Sequence, residues 1–415
     1  MLQKICGLHD QVGLASRNGQ GNPIYVILGD HRDMQESSPT RVYIHPEWME
    51  WVTPKMTLQI VRALQKSDSS EYDEFTRDHF VSKLDYSEIV ELSDLDSAHF
   101  ILLPIRDSFE SNDHQFVKTF SKLVESAKSL SARSGKPVVV HSYSKDVVNP
   151  LIQWKDIPTA FKKMSSSLIR NRQSSSSIAL PYFVPDYLKQ HYSGVWRQSE
   201  ILRKPAVGFC GIASPLGCPR SMTTYYDWLR LCATYIEFAG LDSNVFAEAL
   251  GTNMKHAHRA RVISILRNDK DITSRIILRD TGALVSKKYY REPINGSFNK
   301  DYYNNIRNSD YTICSRGTEN YSIRFYETFC MGRIPILVDT NVVLPFESRI
   351  DYGKNCVLVP PKKIHEVADL LKRYHRSNGQ DGIAKIQREN REIWEKYLSA
   401  TGFYRELGSY IARGS

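Results

Sequence analysis

Several things are missing from this sequence, and each absence removes a class of protein. No stretch holds the run of about 18 apolar residues that a membrane-spanning helix needs. The opening residues, Met1 to Val12, carry Lys4, His9 and Asp10 where an export signal would have its apolar core. No CxxC pair occurs, and the seven cysteines are scattered, with pairs such as Phe209-Cys210 and Phe329-Cys330 placing them in apolar surroundings. An odd, dispersed set of this kind argues against a disulfide framework and a structural zinc site, and it predicts reduced thiols in the cytoplasm. There is also no long cationic tract. The net charge of +9 therefore favours anionic partners in general, without the clustered footprint that nucleic acid demands, and no nucleic-acid partner is expected.

What is there fits an ordinary globular protein. Of 415 residues, 41% are hydrophobic and 24% charged, and the length predicts two domains. Ile24 to Leu28, closed by Gly29-Asp30, reads as a first buried strand. Ala98 to Ile105 and Pro137 to His141 read as a second and third strand, with Asp113 to Ala132 between them at the helical spacing of Phe116, Phe120 and Leu123. Strands alternating with helices imply a parallel sheet covered on both faces. Ser165 to Ser167 and Ser174 to Ser177 flank a basic piece with Arg170 and Arg172, which reads as a mobile surface loop. Tyr192 to Lys204 reads as the crossing between domains.

The second half repeats the pattern. Strands are expected at Ala206–Cys210, Arg275–Leu278, Tyr311–Cys314, Ile334–Val338 and Val357–Val359. Helices are expected over Asn253–Arg267, Tyr302–Arg307, Tyr321–Met331, Lys363–Tyr374 and Ile383–Leu398. The division predicted is 1–200, 201–380, and a helical segment 381–415 packing back toward the first domain.

One stretch carries chemistry. From Tyr311 to Val338 the chain reads strand, Gly-containing loop, helix, strand. The loop Ser315 to Tyr321 opens at the carboxyl end of a strand and the amino end of a helix, where backbone N–H groups favour phosphate. Arg324 falls in the first helical turn, against the macrodipole, a penalty of roughly 0.3–1 kcal/mol that a bound anion would reverse. Glu327, three residues on, shares its face. A cation for a diphosphate beside a carboxylate for ribose hydroxyls would suit a nucleotide sugar. An ion pair of Arg324 with Glu327 or Glu319 on a solvated face explains the same spacing.

Arg316-Gly317, Ser322-Ile-Arg324-Phe-Tyr-Glu327, Gly332-Arg-Ile-Pro335, Leu344-Pro-Phe346 and Ile350-Asp351, in that order, resemble the signature of the exostosin family of glycosyltransferases. Weaker similarity runs back through Tyr302–Ser309, Phe209-Cys-Gly211 with Arg220, Leu180-Pro181 and Ala98–Pro104. The resemblance implies an α/β protein of the GT-B type: two Rossmann-like domains with parallel sheets facing across a cleft, the donor bound by the C-terminal one. It makes Arg324 a phosphate contact and Glu327 a ribose contact. Ser315, Arg316, Gly317, Thr318, Glu319, Asn320, Tyr321 and Ser322 would line the donor, with Arg220 approaching from the Gly211 side.

The expected reaction is transfer of a sugar, UDP-linked by preference, to a hydroxyl of a growing glycan or lipid-linked glycan, with inversion. Glu319 and Glu327 also keep the Glu-x7-Glu spacing of some retaining enzymes, so retention is the alternative, as is a catalytically silent nucleotide-sugar binder. A metal-holding Asp-x-Asp would sit at a strand end. Asp94-Leu-Asp96 reads instead as a turn and Asp269-Lys-Asp271 as a charged loop, so no metal and no cofactor are expected, and arginines would stabilise the leaving diphosphate. Inversion needs a base. Asp30 and His31 lead the candidates, ahead of Asp107 and His141, all placed at strand ends of the first domain. Animal exostosins carry an N-terminal membrane anchor, which this sequence does not show. The resemblance is therefore to a bacterial or viral type building lipopolysaccharide or capsule on the cytoplasmic side, with peripheral contact to an anionic membrane.

Overall fold

The computed structural model describes residues 12–17, 23–27, 39–52, 89–105, 114–142, 158, 161–166, 168, 170, 177–197, 201, 203–213, 257–279, 297–317 and 320–412. Its first parallel sheet runs β4-β3-β5-β6-β7-β8. The strands are β3 (Thr40–Tyr43), β4 (Val90–Leu92), β5 (Phe100–Leu102), β6 (Val138–Ser142), β7 (Lys162–Ser165) and β8 (Ser177–Ala179). Its neighbours include α1 (Pro46–Trp51) and α2 (His114–Ser134).

Alternation decides which side chain faces which layer. Ile101, Leu103, Val138 and Val140 point to the side where α2 brings Phe120, Leu123, Val124, Ala127 and Leu130 at helical spacing. Phe100, Leu102 and Val139 point to the other side, onto Phe403, Tyr404 and Leu407. With both faces covered, β5 is apolar at every position, as a strand inside a parallel sheet must be.

Two expectations need correction here. Ile24–Leu28 does not open the parallel sheet. The strand there is β2 (Pro23–Ile27), paired antiparallel with β1 (Val12–Arg17) in a separate hairpin. Asn18-Gly19, between two extended runs, is a hairpin signal that the apolar content of Ile24–Leu28 masks. The serine-rich stretch is also not simply a loop. Ser165 ends β7 and Ser177 begins β8, both in the parallel sheet, with Ser165 and Ser166 buried. Low apolar content hid these strands because their burial comes from neighbouring elements rather than from their own side chains.

The second parallel sheet runs β10-β9-β11-β12-β13. Its strands are β9 (Ala206–Gly211), β10 (Thr273–Leu278), β11 (Tyr311–Cys314), β12 (Ile334–Val338) and β13 (Val357–Val359). Between them lie α3 (Tyr187–Tyr192, ahead of β9), α4 (Ala257–Asn268), α5 (Ser297–Arg307), α6 (Ile323–Cys330) and α7 (Tyr352–Asn355). The helix α8 (Val367–Ile393) follows, interrupted at Gly379, where φ is 62°, and then α9 (Ala400–Ala412). On one face Val262, Leu266, Val367 and Ile383 pack against Ile313 and Ile336. On the other face Phe325 and Phe329 of α6 join a cluster that continues through Phe183, Trp196 and Trp394 to Phe100 of the first sheet. One apolar core therefore spans both sheets.

Three contacts fasten this arrangement. Gly332 ends α6 at φ 59°, and a Cβ there would lie 2.3 Å from Trp196 Nε1 and 2.9 Å from the Gln387 carbonyl. Arg391 of α8 makes a two-pronged pair with Asp186, at 2.7 and 3.0 Å, and donates to the Cys330 carbonyl at 2.6 Å. From α9, the Gly408 N–H donates to Thr40 Oγ1 of β3 at 3.0 Å.

Candidate functional site

In the second sheet the chain goes one way from β9 to β10 and the other way from β9 to β11. This reversal opens a crevice outside the carboxyl ends of β9 and β11, where ligands of open parallel sheets sit. Two arginines converge there. Arg324, in the first turn of α6, donates from Nη2 to the Cys210 carbonyl at 2.8 Å, and its guanidinium lies 4.3 Å from the Phe209 ring centre. It approaches so closely that a Cβ on Gly211 would be 2.9 Å from Arg324 Nη2. Arg259 of α4 donates to the carbonyls of Ile212 at 3.0 Å, Ser315 at 3.3 Å and Arg316 at 3.1 Å, tying the end of β9 to the start of the loop after β11.

Glu327 sits one turn along α6, 6% exposed. It accepts from Tyr187 at 3.3 Å and from Tyr302 in a short hydrogen bond. Tyr187 belongs to α3, before the second sheet begins, so this carboxylate is held from both parts of the chain. Burial pushes the Glu327 carboxyl above its usual range, against the pull of Tyr302, Arg324 and Tyr187. Burial alone would lower Arg324, but Tyr302, Glu327 and Cys314 together hold it above its ordinary value. Arg259 has less compensation: burial first, then the field of Arg324, brings it down to about 10. Two cations pressed together in a crevice repel one another, and an anion between them would relieve both.

The loop itself is walled in. Ser315, Arg316, Asn320 and Ser322 are buried, and among the described residues Ser315 Oγ, Arg259 Nε and Arg324 Nε are buried without a hydrogen-bond partner. Among the described residues, a Cβ on Gly317 would meet nothing within 4 Å, which leaves room there for an approaching group. Ser322 is the N-cap of α6 but makes no side-chain capping bond, and the first turn contains no acidic residue. Asn320 accepts from Thr340 at 2.6 Å and donates to the Leu168 carbonyl at 3.3 Å, and the Tyr321 ring stacks on Tyr182 with centres 5.4 Å apart.

The structure thus brings Ser315, Arg316, Gly317, Asn320, Tyr321, Ser322, Arg324 and Glu327 together, with Tyr302 linking Arg324 to Glu327. Arg220, Thr318, Glu319, Asp30, His31 and Asp107 lie outside the described residues. His141 is buried within β6 rather than open at a strand end. Asp94 to Asp96 forms a turn, and Asp269 is engaged by the Asp271 N–H and Lys372.

Sequence reading passed over Arg259, Tyr187 and Tyr302. For Arg259 a signal existed: Val262 and Leu266, three and seven residues on, mark the buried face of α4, and Arg259 shares it. A cavity of about 470 Å³ lies beside this crevice at the ends of β12 and β13 rather than over the arginines. We place the anion-binding chemistry at the arginines, because that is where unpaired polar atoms and like charges converge.

Two parallel-sheet α/β units, the second with a cationic crevice at its strand reversal, place the arginines where ligands of open α/β sheets sit. Residues 243–374 match the Exostosin GT47 domain. Exostosin-1 of Drosophila melanogaster is 30% identical over 100 residues, 24% of this chain and 13% of that protein. A probable glycosyltransferase of Arabidopsis thaliana is 34% identical over 93 residues, 21% of this chain and 19% of that protein. The chain therefore spans less than a fifth of either relative's length. Among solved structures, an S. aureus TarM mutant in complex with Fondaparinux, alpha-GlcNAc-glycerol and UDP aligns with a TM-score of 0.31 at 12% identity, over 81% of this chain and 56% of that one. An alpha1,3-fucosyltransferase gives 0.30 at 11%, over 91% and 90%. At those scores the alignments add nothing to the topology described above.

Proposed function

We propose that this chain is a glycosyltransferase that binds a nucleotide-diphosphate sugar, UDP-linked by preference, at the crevice of the second sheet. It would pass the sugar to a hydroxyl of a glycan or lipid-linked glycan. The carrying observation is the pairing of Arg259 and Arg324 at the ends of β9 and β11 with Glu327 one helical turn away. A diphosphate between the arginines would be neutralised as negative charge develops on the leaving group. Glu327, anchored by two tyrosines, is an acceptor for vicinal ribose hydroxyls. Because cations and loop amides can carry the leaving-group charge by themselves, we infer displacement without a metal, and from the family resemblance we infer inversion, with retention the alternative. Asp30 and His31 stay the candidates for the base. Lipopolysaccharide or capsule assembly on the cytoplasmic face, in peripheral contact with an anionic membrane, is the setting we infer from the family resemblance and the net charge of +9.

The test is nucleotide release from a panel of UDP- and GDP-sugars, with and without EDTA, beside Arg324→Ala and Glu327→Ala. Release from one donor that ignores EDTA and disappears in both variants is the expected result. A folded protein that binds no donor overturns the reading.

A further inference from the structure

The 470 Å³ cavity beside the crevice is of a size that small-molecule sites have, and its lining is of two kinds. Leu337 and Leu344 form an apolar wall, and they also line the small pocket beneath the Arg316–Ser322 loop, so the two spaces share a partition. Asp339, just past the carboxyl end of β12, supplies polar lining together with Arg170, Glu347 and Arg349. The charges there are mostly committed. Arg170, from the part of the chain that builds the first sheet, grips Glu347 with two hydrogen bonds of 2.7 Å. Arg349 is held by Glu406 at 2.5 Å.

Asp339 is different. Its carboxylate accepts from the backbone N–H groups of Val342 and Asn341, yet Oδ1 is buried with no hydrogen-bond partner among the described residues. A buried acceptor left open costs stability unless a ligand donates to it. Its neighbour Thr340 donates to Asn320, so this carboxylate is coupled to the same loop that forms the anion site.

A lining that combines leucines with one open acceptor suits a pyranose, which has C–H groups on its faces and hydroxyls around its edge. We propose that this cavity holds the ring of a neutral hexose, with Asp339 Oδ1 accepting from a ring hydroxyl, and that it rejects a hexuronate. The rejection follows from charge: both arginines are already paired, so a second carboxylate would meet Asp339 and Glu347 without a free cation. The proposal rests on the nucleotide-sugar reading above. The hexose could be the donor's own sugar or the terminal sugar of the acceptor, and both have the same chemistry here.

The experiment uses the full chain. Calorimetry measures UDP, UDP-glucose, UDP-galactose and UDP-glucuronate, while saturation-transfer NMR follows methyl β-glucoside, methyl β-galactoside and methyl β-glucuronide. The neutral sugars should be favoured over their uronate counterparts. Asp339→Asn should weaken the neutral arm about tenfold, the worth of one hydrogen bond to a charged group, while UDP binding stays unchanged. A methyl hexoside displaced by UDP-hexose but not by UDP assigns the cavity to the donor sugar, and one that binds alongside UDP-hexose assigns it to the acceptor. Uronate binding as tight as hexose binding, or neutral binding indifferent to Asp339→Asn, overturns the proposal. Wild-type protein that binds no UDP strikes the nucleotide-sugar reading instead, and the methyl glycosides then judge the cavity on their own.

Discussion

Both sheets reverse direction in the same way, between β3 and β5 in the first and between β9 and β11 in the second, so each has a crevice at its strand ends. Their contents differ. The first crevice is followed by Leu103 and Ile105, fully buried in the α2 core. The second is followed by Ser315 and Arg316, with Arg259 and Arg324 reaching in from two helices. Among the described residues, the same topology thus puts apolar side chains after β5 in one sheet and unsatisfied polar groups after β11 in the other. Strand order provides a place for a ligand, and the side chains at strand ends decide whether anything charged can occupy it.

The sharpest way to break this comparison is to remove the cation. Arg324→Ala should abolish donor-dependent nucleotide release and cost roughly 3–5 kcal/mol of stability, because it strips a buried carboxylate of its nearest countercharge. Donor titration and urea unfolding read the two effects separately. At the first crevice the pattern should invert: Leu103→Ala should cost about 2–5 kcal/mol in unfolding and leave the affinity for UDP unchanged. Gly211→Ala probes a closer detail. Its Cβ would sit 2.9 Å from Arg324 Nη2 on a backbone with φ of 154°, so displacement of that group should weaken UDP binding about tenfold while the strained backbone lowers the melting temperature. For Tyr302→Phe the expected cost is about 1–3 kcal/mol of stability. Here pH adds information. Since burial raises the Glu327 carboxyl in the folded state, the folded protein binds the extra proton. Stability is therefore lost as pH rises from the ordinary glutamate value through the raised one. Without the Tyr302 hydrogen bond the folded value moves higher still, and melting curves across acid to neutral pH should show the loss extending upward.

Much of the second sheet was legible because β9, β12 and β13 are apolar along their length and its loops carry Gly and Pro at their ends. Tyr311–Cys314 and Ile334–Val338 coincide with β11 and β12, and Arg324 and Glu327 stand on α6 where the spacing put them. The first sheet was less legible. Lys162–Ser165 and Ser177–Ala179 carry few apolar residues, and their place in a sheet depends on tertiary packing that no local period records. Ile24–Leu28 erred in the opposite sense, since an apolar run fits a hairpin as well as a buried strand. The tyrosines that hold Glu327 were invisible for a different reason. Tyr187 is 140 positions away along the chain, and nothing at either residue announces the other.

The pairing of Asp186 with Arg391 has a consequence for how this chain can be divided. The segment ahead of residue 200 carries the partner of Arg391, the tyrosine for Glu327 and the indole under Gly332. A cut between residues 197 and 201 would therefore not release two self-sufficient halves. Each fragment would keep half of a buried ion pair and half of a carboxylate's coordination, and would depend on the other for folding. Mixed together, the fragments should regain donor binding only as a stoichiometric complex. The same dependence means that a transplanted C-terminal sheet would need residues 180–197 to travel with it.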